Sequence, residues 1–156
     1  MSKTNAIRIL EAKGIEHSFV EYISSEDEID AISVARKINA DPEMVFKTLV
    51  TVNEQNEHFV FVIPGPLDLN MKKAAIASGS KKIELIKVKD LLPLTGYLRG
   101  GCSPIGMKKL FPTYIDETAQ LFDKIYCSAG IRGMQLFITS GDLAMVTEAE
   151  YADLTN

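Results

Sequence analysis

Hydrophobic and polar positions alternate most regularly between residues 46 and 52, FKTLVTV. A period of two marks a strand. It sets Phe46, Thr48, Val50 and Val52 on one face, and Lys47, Leu49 and Thr51 on the other. A hairpin-like turn at 53–57 leads to a returning strand at 59–63, which Pro64-Gly65-Pro66 ends. Upstream, residues 4–13 carry Ala6, Ile7, Ile9 and Leu10 on one helical side, with Gly14 as the stop. A strand over 17–23, the acidic turn SSEDEID and a helix over 31–38 follow. Asp41-Pro42 reads as a cap and a proline start. Downstream, Asp68 or Asn70 caps a helix over 71–78, with Gly79 beyond its end. A strand over 83–86 and a short helix to Leu92 come next. After a turn at 107–111 the pattern predicts strands at 113–115 and 121–126, a turn over 128–133 and a strand at 134–139. The last element is a helix through Val146 capped by Ser140. Strands and helices mix without a strict βαβ rhythm, which predicts an α+β fold with a largely antiparallel or mixed sheet.

Composition narrows this little. A chain of 156 residues, 46% hydrophobic and 24% charged, fits one soluble globular domain over 1–156. No apolar run is long enough for a membrane span, and the start, MSKTNAIRIL, has no secretory core, so a cytoplasmic protein is expected. Two cysteines, Cys102 and Cys127, and two histidines, His17 and His58, are scattered without metal-ligand spacing. Walker, Rossmann and HExxH patterns are missing, so no metal and no cofactor is expected. Net charge is −4, yet residues 71–109 hold nine Lys/Arg against Glu84 and Asp90, a net of +7. That suits either a localised phosphate contact or a set of solvated lysines.

The candidate chemistry gathers in TGYLRGGCSPIG, residues 95–106, which holds four of the ten glycines. Ser103 precedes a proline and is biased to an extended backbone that leaves its N–H and hydroxyl available. The stretch reads either as a donor-rich ligand loop or as a tight connection between elements. Lys47 interrupts an apolar strand. It is either a partly desolvated cation for a carbonyl, carboxylate or phosphate, or an edge lysine reaching water. Cys102 has a loop position fit for a nucleophile but no base near it in sequence. Tyr22 ends a strand, and Ser128 and Arg132 stand in the turn SAGIRG, where ordinary turn roles suffice.

Together, FKTL at 46–49, NMKKAA at 70–75, TGYLRGGCSPIG at 95–106, SAGIRG at 128–133 and ITSGDL at 138–143 resemble the YbaK/EbsC family of aminoacyl-tRNA deacylases. This family is related to the editing domain of bacterial prolyl-tRNA synthetases. The helix before HSFVEY resembles the family's opening. The resemblance implies a compact α+β domain with a mixed, barrel-like sheet and flanking helices. It implies release of a wrongly attached amino acid, in this branch cysteine from proline tRNA and often from cysteine tRNA. The substrate's own thiol would attack its ester, so no protein nucleophile is needed. Branches that remove alanine or another small residue with water, and a tRNA- or synthetase-binding module without turnover, are the alternatives. The resemblance makes Lys47 the catalytic residue. It makes Tyr22, Thr48, Gly100, Gly101, Ser103, Ser128, Gly130 and Arg132 the substrate-binding set, aminoacyl-tRNA the partner, and prolyl-tRNA synthetase a possible docking platform.

Overall fold

The computed structural model describes residues 3–156, so the first two residues of the MSKTNAIRIL start lie outside it. Five helices are α1 (Asn5–Ala12), α2 (Ala31–Lys37), α3 (Met71–Ser78), α4 (Val88–Thr95) and α5 (Ser140–Thr147). Eight strands are β1 (Ser18–Glu21), β2 (Phe46–Asn53), β3 (His58–Pro64), β4 (Ile83–Leu85), β5 (Thr113–Asp116), β6 (Ile125–Ser128), β7 (Met134–Ile138) and β8 (Glu150–Ala152). They form a five-stranded sheet, β4-β2-β3-β5-β8, and a three-stranded one, β1-β7-β6. The smaller sheet is antiparallel. In the larger, β5 runs parallel to β3 and to β8. The mixed α+β architecture agrees with the sequence pattern. The sheets meet at an isolated bridge, Val45 to Tyr126, and the barrel stays open. No helix among the described residues is long and apolar enough to cross a membrane.

Strand β3, HFVFVIP, is apolar on both faces because both are covered. Val60 and Val62 join the main core with Ala6, Ile7 and Leu10 of α1 and with Leu136 and Ile138 of β7. Phe59, Phe61 and Ile63 join a second core under Ala74 and Ala75 of α3. The first turn of α1 also fastens two loops. Thr4 caps the helix by accepting from the Ile7 N–H and donates to the Ala129 carbonyl, while Asn5 Nδ2 donates to the Gly106 carbonyl at 2.8 Å.

Four expectations need correction. The strand expected at 121–126 is β6, from Ile125. Before it the Asp116 carboxylate accepts from the Thr118 N–H and turns Glu117–Leu121 into a 3₁₀ helix. Helix α4 does not stop at Leu92. It carries Pro93 and closes at Gly96, whose N–H donates to the Leu92 carbonyl. Thr139, not Ser140, caps α5. Strand β8 was unseen, since three residues in a polar tail carry no local strand signal.

A close approach at Gly65 pins α2. Its N–H donates to the Val45 carbonyl at 2.8 Å, and an added Cβ would lie 2.3 Å from Ala31 Cβ. Gly65→Ala should therefore destabilise the fold by about 1–3 kcal/mol through overpacking. At roughly 2–4 °C per kcal/mol for a chain of this size, thermal unfolding will register it. An unchanged Tm would mean that α2 is free to shift.

Candidate functional site

Strand β2 begins straight after a 3₁₀ turn, Pro42–Met44, capped by Asp41. This fixes where the strand starts and so which way Lys47 projects. Lys47 is half-buried, and its ammonium makes no hydrogen bond or ion pair among the described residues. Burial pushes its pKa down from the usual lysine value of 10.5, while Asp68 and Asp30 pull weakly the other way. A cation held this way keeps its field for a ligand, because no protein carboxylate neutralises it.

Two adjoining cavities share Lys47. The inner one, about 90 Å³, is walled by Thr48 of β2, Ser128 of β6, Gln135 of β7, and Gly100 and Cys102 of the glycine-rich loop. That is room for about three waters, or for one short side chain. The outer one, about 250 Å³, is walled by Asp30, Ile32, Gly65 and Arg99. Two buried polar atoms among the described residues lack any protein partner: Thr48 Oγ1 and Gln135 Oε1. Both residues line the inner cavity. A buried polar atom without a partner costs about 1–3 kcal/mol, so two in one small space mark a site that expects a polar guest. A larger cavity, about 420 Å³, lies by His58, Glu84 and Lys87, but its wall holds neither orphan atom nor Lys47. The smaller space is the better candidate on chemistry.

The structure brings Lys47, Thr48, Gly100 and Ser128 to this space. Gly100 needs its glycine: φ is +85°, and a Cβ would sit 2.9 Å from Ile29 Cβ. Ser128 Oγ accepts from the Gly130 N–H at 3.2 Å, which leaves its own proton to donate. The other expected residues line neither cavity. Ser103 is fully buried and accepts from the Ile105 N–H. The Gly101 N–H donates to the Leu98 carbonyl. Gly130 packs on the Tyr97 ring, and Arg132 Nε donates to the Arg99 carbonyl at 2.8 Å. Tyr22 packs beside Val34, Ala35 and Val45 under α2. Asp30, Arg99 and Gln135 also line these cavities and were not among the expected residues. A lone glutamine inside MQLFI is the same signal as a lone lysine inside FKTL, and it was readable.

Cys102 lines the inner cavity, whereas Cys127 lies in the main core. Burial pushes Cys102 and Cys127 up to about 12. The lysines of the basic segment stand apart from both cavities. Lys73 pairs with Asp153, Lys82 pairs with Glu84, Lys108 Nζ donates to the Pro93 carbonyl, and Lys109 lies over the Phe111 ring.

Residues 26–146 match the aminoacyl-tRNA editing domain family. A protein of Enterococcus faecalis, provisionally named Cys-tRNA(Pro)/Cys-tRNA(Cys) deacylase EbsC, is 46% identical over 153 residues, covering 98% of this chain and 93% of that protein. A proline–tRNA ligase of Brachyspira hyodysenteriae is 25% identical over 118 residues, 76% of this chain but 20% of the ligase. A crystal structure provisionally described as a trans-editing enzyme for prolyl tRNA synthetase superposes with a TM-score of 0.85 at 25% identity, covering 100% of this chain and 99% of that one. By its sequence over most of its length and by its fold, this chain belongs to the aminoacyl-tRNA editing domain family.

Proposed function

We propose that this chain is a trans-editing aminoacyl-tRNA deacylase that releases cysteine from Cys-tRNA(Pro), and by the same chemistry from Cys-tRNA(Cys), with residues 1–156 acting as one editing domain. The name carried by its 46% identical relative supports the substrate. The observation that carries the chemistry is the unpaired, half-buried Lys47 ammonium at the mouth of a cavity sized for a short side chain.

The chemistry needs no protein nucleophile. The substrate thiol attacks its own ester carbonyl. A C–S bond forms, the ester C–O bond breaks, and the terminal ribose hydroxyl leaves with the proton that the thiol gave up. The amino acid departs as a cyclic thiolactone. Thiol and ester belong to one molecule, so the protein's work is to orient them and to stabilise the developing oxyanion. Lys47 supplies the positive charge and the Ser128 hydroxyl a second donor. The Thr48 hydroxyl meets the side chain. In the outer cavity, Arg99 faces the terminal nucleotide and its phosphate. Tyr22, Gly101, Ser103, Gly130 and Arg132 hold these walls in place. Prolyl-tRNA synthetase is the proposed docking partner, since no lysine of the 71–109 segment lines either cavity and the tRNA body would then be held elsewhere.

Lys47→Ala should lower kcat/KM on Cys-tRNA(Pro) by about 100- to 1000-fold, the usual effect of removing an oxyanion donor. Its Tm should not fall, because an unpaired cation leaves the interior; a well-folded variant of normal activity would remove the assignment. Activity should also decline with rising pH as Lys47 loses its proton, and burial sets that decline below the ordinary lysine value of 10.5. A basic limb unmoved in Lys47→Arg would assign it to another group.

Cys102→Ala should retain activity within a few fold, with its acidic limb unchanged. Complete loss without unfolding would make Cys102 the nucleophile. Ser-tRNA should bind comparably but be released far more slowly, because a hydroxyl is hardly ionised where a thiol is and is the poorer attacking group. Equal rates for Ser-, Ala- and Cys-tRNA would make water the nucleophile. No turnover of any charged tRNA would leave a binding module.

A further inference from the structure

Gln135 is the second residue of β7, opposite Ser128 on one side and Val20 on the other. It is 5% exposed, and its neighbours Met134 and Leu136 are core residues. Its Oε1 faces no donor in the protein, and its side chain lines the inner cavity across from the Lys47 strand. For folding alone an apolar residue would serve better here, since a buried carboxamide oxygen without a donor is unfavourable. The missing donor has to come from what enters the cavity.

Resting on the deacylase reading and deepening it, we propose that Gln135 is a specificity-determining residue whose Oε1 accepts a hydrogen bond from the α-amino group of the aminoacyl ester. An amino group donates in both of its protonation states, whereas the ester and carbonyl oxygens only accept. Of the donors on a cysteinyl ester, the thiol must stay free to lose its proton and attack, which leaves the α-nitrogen. The competing acceptors are less suited. Both oxygens of Asp30 are engaged by Ser33, through its N–H at 2.9 Å and its hydroxyl at 2.8 Å, and Asp30 borders the outer cavity. Asp68 borders neither cavity. With the carbonyl at Lys47, the side chain against Thr48 and the nitrogen at Gln135, three of the four groups on Cα are held. Rotation about the Cα–carbonyl bond is then restricted, and the thiol is kept on the face from which it attacks.

The test compares Cys-tRNA(Pro) with the same tRNA carrying a 3-mercaptopropionyl ester, which keeps thiol and ester and lacks only the α-amino group. Wild-type protein should show a KM about 10- to 100-fold lower for the cysteinyl ester, the range of a hydrogen bond to a charged donor. Gln135→Met keeps the side-chain length without the acceptor. It should raise the KM for the cysteinyl ester by that factor, leave the KM for the mercaptopropionyl ester unchanged, and show a Tm equal to or above wild type. Equal KM for the two esters in wild type would overturn the assignment, as would a preference that survives in Gln135→Met. A variant with lowered Tm and equal loss on both esters would make the amide structural, which also overturns it. Wild-type protein that cleaves neither ester would instead sink the deacylase reading itself.

Discussion

The candidate site depends on how the two sheets meet, beside one isolated bridge. The five-stranded and three-stranded sheets share the bridge from Val45 to Tyr126 and no continuous ladder. Just past that bridge, residues 46–48 of β2 face Ser128 and Gln135 across a gap that no strand fills. The site is that gap. The orphan Thr48 and Gln135 oxygens belong to residues that line this gap, and they are buried among the two sheets. The energetic cost is borne by the surrounding cores, in which β3 is packed on both faces.

The same seam accounts for the state of Lys47. A lysine on a surface strand would extend to water or find a carboxylate. Here Gly65 brings the start of α2 against the strand, Asp30 spends its carboxylate on capping that helix, and the lysine is left half-desolvated with no partner. Burial lowers its pKa, Asp68 and Asp30 pull the other way, and no ion pair neutralises the ammonium among the described residues. Such a group suits a developing oxyanion better than it suits folding stability. The cysteines present the opposite case: burial pushes both thiols up to about 12 and so disfavours their charged form.

Several elements could be read from the chain because their signals are local. The alternation of FKTLVTV, the Asn70 cap with Gly79 closing α3, and the apolar side of α1 each depend on neighbours within a few residues. Lys47 and the glycine-rich loop were candidates on the same basis, and motif order raised them above the edge-lysine and tight-turn readings. The errors also have local causes. Asp116 turns residues 117–121 helical through a cap, and the helix expected to end at Leu92 continues through Pro93 to a close at Gly96. Parallel pairing of β8 with β5 joins residues far apart in the chain and leaves no periodicity to detect.

What the sequence determined alone is the inventory: which stretches alternate, where helices start, which polar residues interrupt apolar strands. Local backbone preference and capping act within a few residues, so a linear reading captures them. Only the tertiary structure decided which interruptions meet. Thr48 and Gln135 are nearly ninety positions apart, and nothing in either segment says that the two residues line one cavity. Nor does the order of residues say that Ser103, one position from the cavity-lining Cys102, turns away to the Ile105 N–H. Burial and hydrogen-bond satisfaction are properties of the packed whole, and they separate the residues that line the cavity from those that do not.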